Sequence, residues 1–253
     1  MDVVQAYSAD RSLKGKLRRR LARLVERRPA RLSLNRPMVS FSFDDVPATA
    51  TGAGARTLEA HGVRGTYFIS AGLAGREGPM GRYATRGEVL AVQAAGHEIA
   101  CHTFSHLDCG SAPRGAIEAD VERNHAALAD WGAGEARNFA YPYGDVRQAA
   151  KAALGRRYSV LRALNPGLIE DGTDLNQTPA VGIEGPDGER TAQAWLARAI
   201  RRKAWLILYT HDVSDAPTVW GCTPDALGRL VGAAKAGGCD IVTVAEGAWR
   251  LAN

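Results

Sequence analysis

The sequence predicts an α/β fold, a distorted (β/α)7-type barrel of parallel strands preceded by an amphipathic, basic N-terminal helix. Three observations predict it. Short apolar runs alternate with helix-period segments along nearly the whole chain, the order that parallel βα units produce. Polar clusters directly follow four of these runs, as the C-terminal rim of a barrel requires. The 253 residues are enough for one such barrel with a sizeable core.

The first 36 residues hold eleven Lys/Arg against three acidic residues, a net +8 that leaves −3 for the remainder of the +5 chain. The basic character therefore belongs to an arm, residues 1–36, on a mildly acidic body, residues 37–253. No nucleic-acid-gripping surface is expected on that body. Leu13, Leu17, Leu21, Leu24 and Val25 recur at three- and four-residue spacing, so 10–28 reads as an amphipathic helix with a cationic face. Its leucines can pack on the barrel, on a second copy in a homodimer, or on an anionic membrane surface. No run is long and apolar enough for a membrane span, and the basic N-terminus lacks the apolar core of a secretion signal. The expected location is cytoplasmic, with peripheral contact at the inner face of the membrane as a further expectation. Cys101, Cys109, Cys222 and Cys239 show no secreted-protein spacing and read as packed thiols.

The body begins with MVSFSFDDVP at 38–47, where Val39, Phe41 and Phe43 alternate along a strand that delivers Asp44 and Asp45 off its end. Two adjacent carboxylates repel unless a cation stands beside them, so one is expected on a metal while the other keeps a basic oxygen. A helix at 51–60, a strand at 65–69 and a helix at 86–95 lead to a strand at 97–101, which ends at His102 and His106. One Asp and two His give the ligand count of an open, catalytic zinc site. Cys101, His102, His106 and Cys109 offer a second grouping, a closed structural site, but Cys101 continues the strand alternation and would point away from His102. A helix at 112–131 and a strand at 138–141 run into Tyr141-Pro142-Tyr143-Gly144. Next come a helix at 146–156, a strand at 158–163, a Gly/Asn/Asp-rich loop, a strand at 180–183 and a helix at 190–202. A strand at 205–209 then delivers Thr210-His211-Asp212, and a helix at 224–236, a strand at 240–244 and a short helix close the chain. Asp212 is a candidate to orient His211. Trp220 is a candidate to stack on a sugar face or to pack at the rim, and His61, His97 and His125 read as structural.

The succession SFDD, HTFSH, FAYPYG and YTHD resembles the NodB-homology polysaccharide deacetylases, carbohydrate esterase family 4, over residues 38–249. The resemblance implies a barrel of about seven βα units and metal-dependent removal of acetyl groups from N-acetylated sugars. It implies Asp45, His102 and His106 as ligands of a divalent metal, usually zinc, and Asp44 as general base. Tyr143 would offer its backbone N–H to the oxyanion, His211 would be the general acid, and Tyr141, Pro142 and Trp220 would contact the saccharide. Three positions depart from the pattern: Val46 replaces a Gly, Leu107 a Pro, and Ala140 the arginine that pairs with the base. Arg162, Asp171 and Asp174 lie where residues that steady the catalytic histidine are expected. The expected substrate is an N-acetylglucosamine-type saccharide, such as a lipid-linked or surface-polysaccharide intermediate. Alternatives are hydrolysis of a small cyclic amide or ureide, and an inactive carbohydrate-binding scaffold, whose support is the arginine missing at 140.

Overall fold

The computed structural model of the chain describes residues 20–252. Its central strand, β1 (Met38–Asp44), is buried at every residue, because it is flanked by parallel partners and packed on both faces. The other strands are β2 (Thr66–Ile69), β3 (Glu77–Gly78), β4 (Gly81–Arg82), β5 (Glu98–Cys101), β6 (Phe139–Ala140), β7 (Leu161–Arg162), β8 (Val181–Gly182), β9 (Trp205–Thr210) and β10 (Asp240–Ile241). The helices are α1 (Ala55–Ala60), α2 (Arg86–Ala94), α3 (Arg114–Trp131), α4 (Gln148–Leu154), α5 (Gly188–Arg202), α6 (Pro224–Ala236) and α7 (Val244–Ala252). The parallel strands run in the order β7-β6-β5-β2-β1-β9-β8, with β10 beside the start of β1. A parallel bridge between Arg162 and Thr178 joins β7 to the segment that enters β8, which brings the two ends of the sheet round toward each other. The result is the distorted α/β barrel that the alternation predicts.

Period-two alternation sorts the strand residues into two layers. Val39, Phe41, Phe43, Tyr67, Leu206 and Leu208 belong to the larger core cluster, under the helices, while Met38, Phe68, Ala100, Ala140, Trp205 and Ile207 form the second, inside the barrel. The interior serines are satisfied. Trp205 Nε1 donates to Ser40 Oγ at 2.9 Å, and Ser42 Oγ donates to the Leu208 carbonyl at 3.0 Å. One more step of the same parity turns Asp44 and Arg162 inward at the C-terminal end of the barrel.

The two-residue strands β3 and β4 form an antiparallel hairpin that the sequence pattern does not announce, since neither is long enough to show alternation. The hairpin is fastened beside the paired aspartates. Tyr83 bridges Pro47, and Ala84 N–H donates to the Val46 carbonyl at 2.9 Å. A capping box of Thr85 and Glu88 then starts α2, and Glu88 also holds Arg82 through two hydrogen bonds of 2.7 and 2.8 Å.

Most of the helix expected at 10–28 lies outside the described residues; its described end is helical at 20–22. There Ala22 is buried, while Leu21 and Leu24 are 49% and 68% exposed, so these two leucines do not pack on the barrel. The fully buried Lys151 fastens this end: Nζ donates to the carbonyls of Ala22 and Val25 and to Asp174 Oδ2, each at 2.6 Å. Farther on, Pro29 bridges Asp174, and Leu32 and Leu34 pack against the interior cluster. No described helix is long and apolar enough to cross a membrane. All four cysteines are buried and unbridged.

Candidate active site and metal centre

Strand ends from around the barrel mouth contribute to one cavity of about 290 Å³. β1 supplies Asp44 and Asp45, the loop after β5 supplies His102 and His106, the turn after β6 supplies Tyr143, and the stretch after β9 supplies His211 and Trp220. The backbone here is strained. Of the seven described non-glycine residues with positive φ, five are Asp45, Val46, Thr103, His106 and Tyr143, a conformation that costs of order 1–3 kcal/mol at a β-branched or bulky residue. Two departures from the family pattern find a local meaning. Val46 takes a left-handed φ of 56°, which glycine would adopt freely. Leu107 N–H donates to Thr103 Oγ1 at 2.8 Å, a bond that proline could not make.

The donor set fits a divalent cation. Asp45 Oδ1 lies 3.4 Å from His102 Nε2 and 3.0 Å from His106 Nε2, and it is a buried oxygen without a hydrogen-bond partner. His102 Nδ1 donates to the Ala140 carbonyl at 2.8 Å, which fixes the tautomer and leaves the Nε2 lone pair for a metal. Burial, only partly offset by the Asp44 charge, lowers the His102 pKa to about 4, so the ring is neutral. Asp120 on α3 organises the loop between the two histidines, accepting from Phe104 N–H, Ser105 N–H and Ser105 Oγ at 2.7–3.0 Å. Among the described residues this is the group of three such side chains with metal-ligand spacing. The Cys101–Cys109 grouping does not form around the histidines: Cys101 Sγ instead accepts from Asn124 Nδ2 on α3 at 3.1 Å.

Asp44 is paired from an unexpected strand. Arg162 Nη2 donates to its Oδ2 at 2.5 Å, and both side chains are almost wholly buried. Ala140 and Arg162 are direct register partners on β6 and β7, so the guanidinium absent at 140 arrives from one strand over. The rings of Phe68 and Tyr209 stand 5.0 and 5.2 Å from the guanidinium carbon. Burial works to raise the Asp44 pKa, but Arg162, His102 and His211 outweigh it and hold the carboxyl below its usual range. Its Oδ1 has no partner.

His211 is oriented by Glu184, two residues past β8, whose Oε1 lies 2.8 Å from Nδ1. Gly182 makes room for this, because a Cβ there would come within 2.9 Å of Glu184 Oε2. Burial lowers the His211 pKa, but the Glu184 hydrogen bond and the charges of Asp44 and Asp45 win and raise it to about 9. The proton therefore sits on His211 at neutral pH.

The polysaccharide deacetylase family model matches residues 32–158, half of the chain. The chain belongs to the polysaccharide deacetylase family, the NodB-homology proteins of carbohydrate esterase family 4. Solved structures share the fold of this deacetylase-family chain. One described as T48 deacetylase with substrate is 20% identical, aligns 83% of this chain with 90% of its own and has a TM-score of 0.58. A family 4 acetyl xylan esterase from Clostridium thermocellum, in complex with a cobalt ion, is 19% identical over 83% of this chain and 89% of its own, with a TM-score of 0.57. A family 4 pseudoenzyme from Bacillus anthracis is 16% identical over 85% and 66%, with a TM-score of 0.58. No curated protein matches the chain.

The polysaccharide deacetylase frame departs from expectations drawn from the sequence at five residues. Tyr141 and Pro142 do not line the cavity. Tyr141 follows the outward parity of Phe139, is 1% exposed and donates its hydroxyl to the Asn176 carbonyl, and Pro142 is buried behind the turn. Asp212 does not orient His211; both of its oxygens accept from Thr218. Asp171 and Asp174 hold the backbone of Leu32 and Arg28 and lie outside the cavity lining. Glu184 belongs to none of the sequence motifs, although it follows a strand end as other site residues do.

Glu184→Gln removes the charge that raises His211. In a reaction that needs protonated His211, the basic limb of the kcat/KM profile, near pH 9 in the parent, should move down by about 1–3 units. The same pair contributes stability that is complete below the unfolded value of 6.5 and is lost as pH rises through about 9. Denaturant midpoints of the variant should therefore vary less over that window.

Proposed function

We propose that the chain is a divalent-metal-dependent N-deacetylase that removes acetyl groups from N-acetylglucosamine-type residues of a saccharide. The observation that carries this is the opposition, in one cavity, of an arginine-bound carboxylate with a free oxygen and a glutamate-bound, protonated histidine, beside three ligand atoms. Asp45, His102 and His106 would hold the metal, and two imidazoles with one carboxylate suit zinc. A bound cation would supply Lewis acidity, drawing electrons from the amide carbonyl and acidifying water.

The chain's own residues account for the proton traffic. Asp44 Oδ1 takes the proton of the water whose oxygen attacks the carbonyl carbon. His211 gives its proton to the nitrogen as the C–N bond breaks, so acetate and a free amine leave. The Tyr143 backbone N–H is the donor we assign to the oxyanion, and Trp220 is the aromatic wall we assign to the sugar face. The reading of an inactive scaffold leaned on Ala140, and Arg162 supplies the missing guanidinium from the neighbouring strand. Nothing in the cavity favours a cyclic amide over an acetyl sugar. The exposed Leu21 and Leu24 on a basic arm support a substrate carried at an anionic, inner membrane face.

The test is acetate release from N-acetylglucosamine oligomers. Chelation should abolish release and added zinc should restore it; equal release in chelated protein would refute metal dependence.

A further inference from the structure

A second cavity, of about 340 Å³, opens where the arm meets the barrel, lined by Arg23, Arg27, Asn165, Pro166, Asp174 and Gln177. Leu164 lines the catalytic cavity, and the next residue, Asn165, lines this one. One segment therefore runs between the catalytic wall and the cavity that Arg23 and Arg27 line. Among the lining residues the two arginines, Arg23 and Arg27, outnumber the one acid, Asp174. The acidic member of the lining is already engaged. Asp174 Oδ2 accepts from Lys151 Nζ, and its Oδ1 accepts from the N–H groups of Arg28 and Asn176. Among the described residues, Arg27 spends one of its five donors, through Nη2 on the Gly172 carbonyl. The buried amide oxygens of Asn165 and Gln177 have no hydrogen-bond partner. Paired arginine forks match the oxygens of a phosphoryl group.

We propose that this pocket is an anion subsite for the phosphoryl group of a glycosyl phosphate or diphosphate whose N-acetylated sugar occupies the catalytic cavity. The sugar half rests on the deacetylase reading; the anion half does not.

Zinc-loaded parent and the R23A/R27A variant, its folding checked by melting, would be titrated with inorganic phosphate by calorimetry at constant ionic strength. KM would be measured for N-acetylglucosamine oligomers with and without a reducing-end phosphate. Phosphate affinity should fall at least tenfold in the variant. KM for the phosphorylated oligomer should rise about tenfold, with kcat and the KM of the neutral oligomer unchanged. Equal phosphate affinity in the two proteins would overturn the subsite. Arginine dependence seen on phosphatidylglycerol over phosphatidylcholine vesicles, but not in KM, would place the phosphoryl group on a lipid headgroup and overturn the glycosyl phosphate. If neither oligomer releases acetate, the deacetylase reading fails while the phosphate titration still decides the subsite.

Discussion

Arg162→Ala should lower kcat for acetate release on the order of 10²-fold, the lower range of what a positioned general base contributes, and should also destabilise the fold. The two effects share a cause. Asp44 is 3% exposed and its Oδ2 has Arg162 as its partner. Removing the guanidinium leaves a buried carboxylate without its counter-charge, a loss of about 3–5 kcal/mol, visible as a lower denaturant midpoint at unchanged slope. It also frees the carboxylate to rotate, so the oxygen presented to water is no longer fixed. Relocation separates these effects from general damage. Because Ala140 and Arg162 are register partners, A140R/R162A returns a guanidinium to the same layer of the barrel from the adjacent strand. The double variant should recover at least tenfold over R162A. A double variant no better than R162A would mean that Arg162 acts by filling space rather than by holding Asp44.

Which parts of this site were legible in the sequence follows from how each residue is specified. Asp44, Asp45, His102, His106 and His211 each stand at or just past a strand end, and strand ends are written locally, in a short run of alternation. Arg162 was visible as a residue in the relevant region but its role was not, because its partner lies 118 positions away in sequence and is set by the β6–β7 register. Glu184 obeyed the strand-end rule, but its strand has two residues and no second polar neighbour to draw attention to it. Tyr141, expected at the saccharide, shares the parity of Phe139 and so turns outward into the larger core cluster. The β3–β4 hairpin, which brings Met80 and Tyr83 to the cavity wall, carries too few residues for any periodicity. The fold class survived these gaps because it rests on the whole alternation of elements rather than on any one of them.

The second large effect, and the most direct test of the account, is Asp44→Asn. The substitution is nearly isosteric, and the side-chain oxygen can still accept from Arg162, so the fold should hold. Asp45, His102 and His106 are untouched, so zinc content should stay at the parent value. What disappears is the basic oxygen, Oδ1, that has no other partner in the structure. The measurement is zinc content by mass spectrometry beside acetate release from N-acetylglucosamine oligomers, on the same preparation of parent and variant. The account predicts equal zinc and a loss of release of about 10²–10⁴-fold, the scale of general-base catalysis. Release at the parent rate by a zinc-loaded Asp44→Asn protein would contradict it.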